Sequence, residues 1–128
     1  MSEESALLLI VDDEPRILSA LRRALRREPF EVLAVESTRE ALALLETQAI
    51  DIVLSDHKMP GMTGLQLLTE AARLCPQAVR ILITGWTEEI PAEQIEAVGV
   101  FKVLNKPWED TALKDALSEA RKARSGLS

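Results

Sequence analysis

Four short apolar runs in this chain end in groups able to hold a cation or an anion. Leu7-Leu8-Leu9-Ile10-Val11 runs into Asp12, Asp13 and Glu14. Ile50-Asp51-Ile52-Val53-Leu54-Ser55 runs into Asp56. Arg80-Ile81-Leu82-Ile83 ends in Thr84 and Gly85, and Val103-Leu104-Asn105 ends in Lys106 and Pro107. A continuous apolar run closed by turn residues reads as a strand buried on both faces, the kind found in parallel sheets. In such sheets ligands bind outside the carboxyl ends of the strands. An aspartate there serves as a metal ligand, a nucleophile or a turn cap. If the four runs lie parallel, their ends place carboxylates, a hydroxyl and an ammonium at one edge.

Helical patterns separate these runs. Strand 1 is expected over about 6–11 and helix 1 over about 15–27, with Pro15 in the first turn, where its missing N–H costs nothing. Ile17, Leu18, Leu21, Ala24 and Leu25 make its apolar stripe, and Arg22, Arg23, Arg26 and Arg27 crowd its end, where the dipole favours cations. That basic run reads as a solvated helix end, or as a contact for an acidic partner. Strand 2 is expected over about 31–35 and helix 2 over about 38–47, behind a Ser37/Thr38 cap. Strand 3 is the run into Asp56. Helix 3 follows over about 64–74, after a Pro- and Gly-containing turn. Strand 4 is expected over about 79–84. Helix 4 is short, squeezed between Pro91 and Gly99, and marginal without tertiary support. Strand 5 covers about 100–104 and helix 5 about 110–122. Five strand–helix units imply an α/β fold with a doubly wound parallel sheet.

Composition sets limits. A length of 128 residues is one domain, and 47% apolar residues can fill its core. No apolar run approaches the roughly 18 residues of a membrane span, and the acidic start lacks a signal-peptide pattern. The single Cys75 excludes an internal disulfide and suits a reducing cytoplasm, the expected location. A net charge of −6 argues against gripping nucleic acid. Phe30, Phe101, Trp86 and Trp108 are the only aromatics, too few for a base-stacking platform. The lone His57 cannot build a multi-histidine metal centre.

Taken together, Asp12-Asp13, Asp56 followed by Met59-Pro60-Gly61-Met62-Thr63-Gly64, Thr84-Gly85 and Lys106-Pro107 resemble the receiver domain of two-component response regulators. The likeness covers nearly the whole chain, with the receiver placed at 5–124 and residues 125–128 read as a tail or the start of a linker. It implies a CheY-like, flavodoxin-like (βα)5 fold with strand order 2-1-3-4-5. It implies Asp56 as phosphoacceptor for a histidine kinase or a histidine phosphotransfer protein. Mg²⁺ is then held by Asp12, Asp13, Asp56 and the backbone carbonyl of Lys58, while Thr84 and Lys106 bind phosphoryl oxygens. Gly85 leaves room beside that group, and the Lys106–Pro107 bond is expected to be cis. The Thr84-Gly85-Trp86 and Lys106-Pro107-Trp108 stretches resemble receivers linked to HD-type phosphodiesterase, AAA-type transcriptional or histidine kinase modules. Output is expected through the helix 4–strand 5–helix 5 face, with phosphorylation-dependent dimerisation left open. Such a domain catalyses only its own phosphorylation and dephosphorylation.

Three expectations follow from the residues beside the site. Trp86 and Lys58 flank the phosphoryl position, predicting a long-lived phosphate, with Trp86 as shield. Receivers usually carry an aromatic three residues before the lysine; here that position is Val103. A switch through the 84–89 loop and helix 4 is therefore expected without an aromatic flip. Two other functions fit some of the residues. A small Mg²⁺-dependent phosphohydrolase of the haloacid-dehalogenase kind needs a second Asp two residues after the nucleophile, where Lys58 stands. A pseudo-receiver that only binds partners would not need the intact acidic set.

Overall fold

The computed structural model describes residues 5–85 and 89–125. Five parallel strands alternate with five helices: β1 (Ala6–Val11), α1 (Pro15–Ala24), β2 (Phe30–Val35), α2 (Thr38–Thr47), β3 (Ile52–Asp56), α3 (Gly64–Leu74), β4 (Val79–Gly85), α4 (Ala92–Val98), β5 (Val100–Lys106) and α5 (Asp110–Ser125). The sheet order is β2-β1-β3-β4-β5. The chain winds outward from β1 in one direction to β2 and in the other to β5. β1 and β3 therefore sit side by side, in register from Leu8↔Ile52 to Val11↔Ser55.

The apolar runs are continuous because each strand serves two cores. Leu8, Ile10, Ile52, Leu54, Ile81 and Ile83 point to one face, against Leu18 and Leu21 of α1 and Leu113 and Leu117 of α5. Leu9, Val11, Val53 and Leu82 point to the other, against Ala41 and Leu45 of α2 and Leu67, Leu68 and Ala71 of α3. Side chains alternate along a strand, so two helical layers need two interleaved apolar sets. At about 1.5–3 kcal/mol for each large aliphatic side chain, this burial dominates the favourable side of folding.

Some bounds differ from expectation. α1 stops at Ala24 instead of Arg27, because Leu25 leaves helical geometry at φ −103°, ψ 8°. A turn follows, with the Arg26 N–H on the Arg23 carbonyl and the Glu28 N–H on the Leu25 carbonyl. Only Arg22 and Arg23 then lie in the last helical turn. β3 begins at Ile52; Asp51 just before it accepts the Leu7 N–H on its carboxylate at 2.7 Å, while its own N–H donates to the Leu7 carbonyl at 2.9 Å. β5 runs two residues further, to Lys106, paired with Gly85 of β4. α5 continues to Ser125, and the Arg124 guanidinium lies 3.2 Å from the Asp51 carboxylate. Residues 126–128 of the expected tail lie outside the described residues.

α4 is as slight as its sequence suggests. It has seven residues, none buried, no side-chain cap, and a stop at Gly99 with φ +77°. Arg80 supplies what the helix lacks. Its guanidinium donates to the Val98 carbonyl at 3.1 Å and to the Ala78 carbonyl at 3.0 Å, holding the last turn against the α3–β4 connection.

Candidate functional site

β1 and β3 end side by side, so Asp12 follows one strand tip directly and Asp56 closes the other. Asp12, Asp13 and Asp56 each offer a carboxylate oxygen, and these three atoms lie within 4.8 Å of one another. Asp12 and Asp56 are buried, at 1% and 4% exposure, whereas Asp13 is exposed. Lys106 arrives from the end of β5 and lies 3.1 Å from Asp12 Oδ2 and 3.2 Å from Asp56 Oδ1. The bond to Pro107 is cis.

Local structure fixes each group. Asp12 Oδ1 accepts the Glu14 N–H at 2.9 Å, a local bond that fixes the turn leading into α1 without capping the helix itself. That use occupies one oxygen and leaves Oδ2 for the site. The His57 N–H donates to the Ile83 carbonyl, holding the loop after Asp56 to β4. The Gly64 N–H donates to the His57 carbonyl at 2.7 Å, and Thr63 begins α3 with a capping box to Gln66. The His57 ring sits at the same helix start, its Nδ1 accepting the Leu65 N–H at 3.4 Å. Thr84 is buried at the end of β4, opposite Asn105 of β5. Gly85 follows, opposite Lys106. Lys58 is exposed and lines the mouth of the site with Asp13, Glu14, Met59 and Pro60. Trp86 lies outside the described residues. Val103, the position of the expected aromatic, is 41% exposed on the edge strand, and Phe101 beside it on the same face is 39% exposed.

The electrostatics are those of a cation site. Burial pushes the Asp12 carboxyl above its ordinary value, despite the Glu14 N–H and the Lys106 ammonium pulling the other way. Burial alone would lower Lys106, but the charges of Asp12 and Asp56 outweigh it and hold the amine above its ordinary value. Asp12 Oδ2 is buried and makes no well-aligned hydrogen bond among the described residues; it faces the Lys106 ammonium, close enough for an ion pair. A buried carboxylate oxygen with a free lone pair is what a hard divalent cation takes. The three aspartates fit such an ion, with room for water on the open side.

Two site residues carry roles that the sequence reading did not give them. Glu14 brings a fourth carboxylate, 3.6 Å from the Lys106 ammonium. Gly64 packs so tightly on the Asp56 backbone that a Cβ there would collide with the Asp56 carbonyl. The Asp-Asp-Glu run hinted at the first, and a glycine at the first position of a helix hinted at the second.

The chain matches known proteins along nearly its full length. A family model described as response regulator receiver domain matches residues 8–118. The hydrogenase transcriptional regulatory protein HoxA of Cupriavidus necator is 44% identical over 126 residues, covering 97% of this chain and 26% of that protein. The transcriptional regulatory protein GlrR of Escherichia coli is 36% identical over 120 residues, covering 94% of this chain and 27% of that protein. The chain thus spans about a quarter of the length of these curated relatives. Among solved structures, the signal receiver domain of an HD domain-containing protein from Pseudomonas fluorescens superposes with a TM-score of 0.90 at 29% identity, covering 96% of this chain and 99% of that one. A CheY-like receiver domain protein from Methanospirillum hungatei gives 0.89 at 27% identity, covering 98% and 100%.

Proposed function

The chain belongs to the response regulator receiver domain family, and on that footing we propose that it takes a phosphoryl group onto Asp56 from the phosphohistidine of a histidine kinase or phosphotransfer protein. The observation that carries this reading is the convergence of Asp12, Asp13 and Asp56 with Lys106 at one sheet edge. The new P–O bond forms to an Asp56 carboxylate oxygen as the donor's P–N bond breaks, and the leaving imidazole takes a proton. Asp12, Asp13, Asp56 and the Lys58 backbone carbonyl would hold Mg²⁺. When bound, Mg²⁺ screens the repulsion between the carboxylate and the incoming phosphoryl oxygens. Lys106 follows the transferred charge as a mobile ammonium, and the Thr84 hydroxyl turns to a phosphoryl oxygen. Gly85 leaves the space that this group needs.

Phosphorylation adds about −1.5 to −2 charges. With Val103 exposed and small, we propose that the signal passes through the Thr84 loop into α4, without an aromatic side chain turning inward. Phe101 and Val103 on the outer strand then belong to the face read by an output module or partner. Two copies pairing on phosphorylation would use the same face. HoxA and GlrR are transcriptional regulatory proteins, so the proposed output is control of transcription. The domain turns over no separate substrate on this reading.

Acetyl phosphate with Mg²⁺ provides the test. The expected result is one alkali- and hydroxylamine-labile phosphate per chain, absent from Asp56→Asn. Continuous release of inorganic phosphate at many turnovers would favour a phosphohydrolase, against which the exposed Lys58 already counts. No labelling and no turnover would favour a pure interaction domain.

A further inference from the structure

We propose that Glu14 is a positioning residue that holds Lys106 across the mouth of the site and screens which phosphodonors enter; the inference rests on the phosphoacceptor reading of Asp56. The backbone of Glu14 is fixed on both sides. Its N–H donates to Asp12 Oδ1 at 2.9 Å, and its carbonyl accepts the Ile17 and Leu18 N–H groups at 3.0 and 3.3 Å. It sits at the cap position of α1, yet its side chain makes no capping bond. Its carboxylate instead approaches the Lys106 ammonium at 3.6 Å and lines the same opening as Asp13 and Lys58. Asp12 and Asp56 approach that ammonium from inside, at 3.1 and 3.2 Å. Lys106 is thus shared between two buried carboxylates and one on the rim.

The consequences have opposite signs for cations and anions. An anionic phosphodonor must pass the Glu14 carboxylate and take Lys106 from it. A divalent cation is drawn inward by the same carboxylate without needing it as a ligand. Glu14 therefore favours the metal and disfavours small free anions, leaving the site to a donor whose other contacts outweigh that repulsion. Glu14 is more than half exposed, so the effect is that of a surface charge, screened by salt.

The test compares the native chain with Glu14→Gln and Glu14→Asp, using Mg²⁺ alone and acetyl phosphate as probes. Isothermal calorimetry gives the Mg²⁺ dissociation constant with no donor present. Labelling rates at saturating Mg²⁺ give the half-saturating acetyl phosphate concentration. For Glu14→Gln the Mg²⁺ constant is expected to rise about two- to fivefold and the acetyl phosphate constant to fall by a similar factor, the range of an exposed ion pair. Both changes should shrink at high salt, and Glu14→Asp, which keeps the charge, should return both toward native values. A structural role would weaken both ligands together, and that result overturns the inference. So does a Glu14→Gln chain indistinguishable from native, or a Glu14→Asp chain equal to Glu14→Gln. A native chain that is never labelled at Asp56 removes the phosphoacceptor reading itself, a different failure.

Discussion

Gly64 and Asp56 touch backbone to backbone: a Cβ on Gly64 would collide with the Asp56 carbonyl oxygen and lie 2.8 Å from its carbonyl carbon and from His57 Cα. The start of α3 is thereby seated directly on the strand tip that carries the proposed phosphoacceptor. Because the obstructing atoms are main chain, they cannot rotate away. Gly64→Ala is expected to destabilise the fold by about 2–3 kcal/mol and to displace the 57–64 loop. Urea denaturation measures the first effect, and the labelling yield at Asp56 in chain that remains folded measures the second. A native-like midpoint and yield would show that α3 can shift without consequence.

The pH dependence follows from the sign of each shift. The raised carboxyl of Asp12 contributes stability that is present below 3.8 and lost as pH rises through its higher folded value. The raised amine of Lys106 contributes stability that is present below 10.5 and lost only as pH rises through its own higher folded value. At neutral pH without metal, Asp12 therefore costs stability and Lys106 supplies it. Asp12→Asn is expected to raise the metal-free melting temperature at pH 7 by about 2–5 °C, the shift that a change on the order of 1 kcal/mol gives a domain of this size. The gain should narrow as pH falls toward 4, and a gain independent of pH would refute the cause given.

Metal and ammonium neutralise the same oxygens. Lys106→Met should destabilise the metal-free chain by about 2–4 kcal/mol, because it strands two buried carboxylates. Millimolar Mg²⁺ should stabilise the native chain and restore a larger share of the loss in Lys106→Met. The same ion should do little for Asp12→Asn. Thermal melts with and without MgCl₂ decide the matter, and identical Mg²⁺ responses in all three chains would mean that the ion binds elsewhere.

The short helix α4 depends on Arg80. Arg80→Met removes donors to the Val98 and Ala78 carbonyls and is expected to speed amide exchange in 92–98 at least tenfold, with little change in β1 or β3. Gly99→Ala should cost about 1–2 kcal/mol, since φ +77° is left-handed and the new Cβ would press on the Arg80 guanidinium. Exchange measured by mass spectrometry checks both variants. An unchanged α4 in Arg80→Met would show that Ile95 and Val98 suffice to hold it.

Asp12, Asp13, Asp56, Thr84 and Lys106 were legible because each follows an apolar run, and strand tips in a parallel sheet share one edge. Strand order was legible only through the family likeness, since the βα rhythm alone fits more than one winding. Glu14 and Gly64 were not read for their roles. A glutamate before a proline looks like a helix start, and a glycine in a turn looks like a turn; their importance lies in through-space distances of 3.6 Å and less, which no local pattern encodes. The end of α1 was overrun because Leu25 continues the apolar stripe, although its backbone has already left the helix. β5 was cut short because Asn105 and Lys106 look like loop residues, whereas pairing with Thr84 and Gly85 keeps them extended.

The guanidinium that grips the Val98 carbonyl fastens only one end of α4. The other end is entered through Pro91 with no side chain closing it, and Ile90 is only half-buried. A rod gripped by a side chain at its tail and capped by none at its head would tilt as a lever if pushed. Any displacement begun where the chain leaves Gly85 would be widest near the proline and vanish at Gly99. A molecule resting along this helix would therefore feel tilt, in proportion to how close to the head it sits.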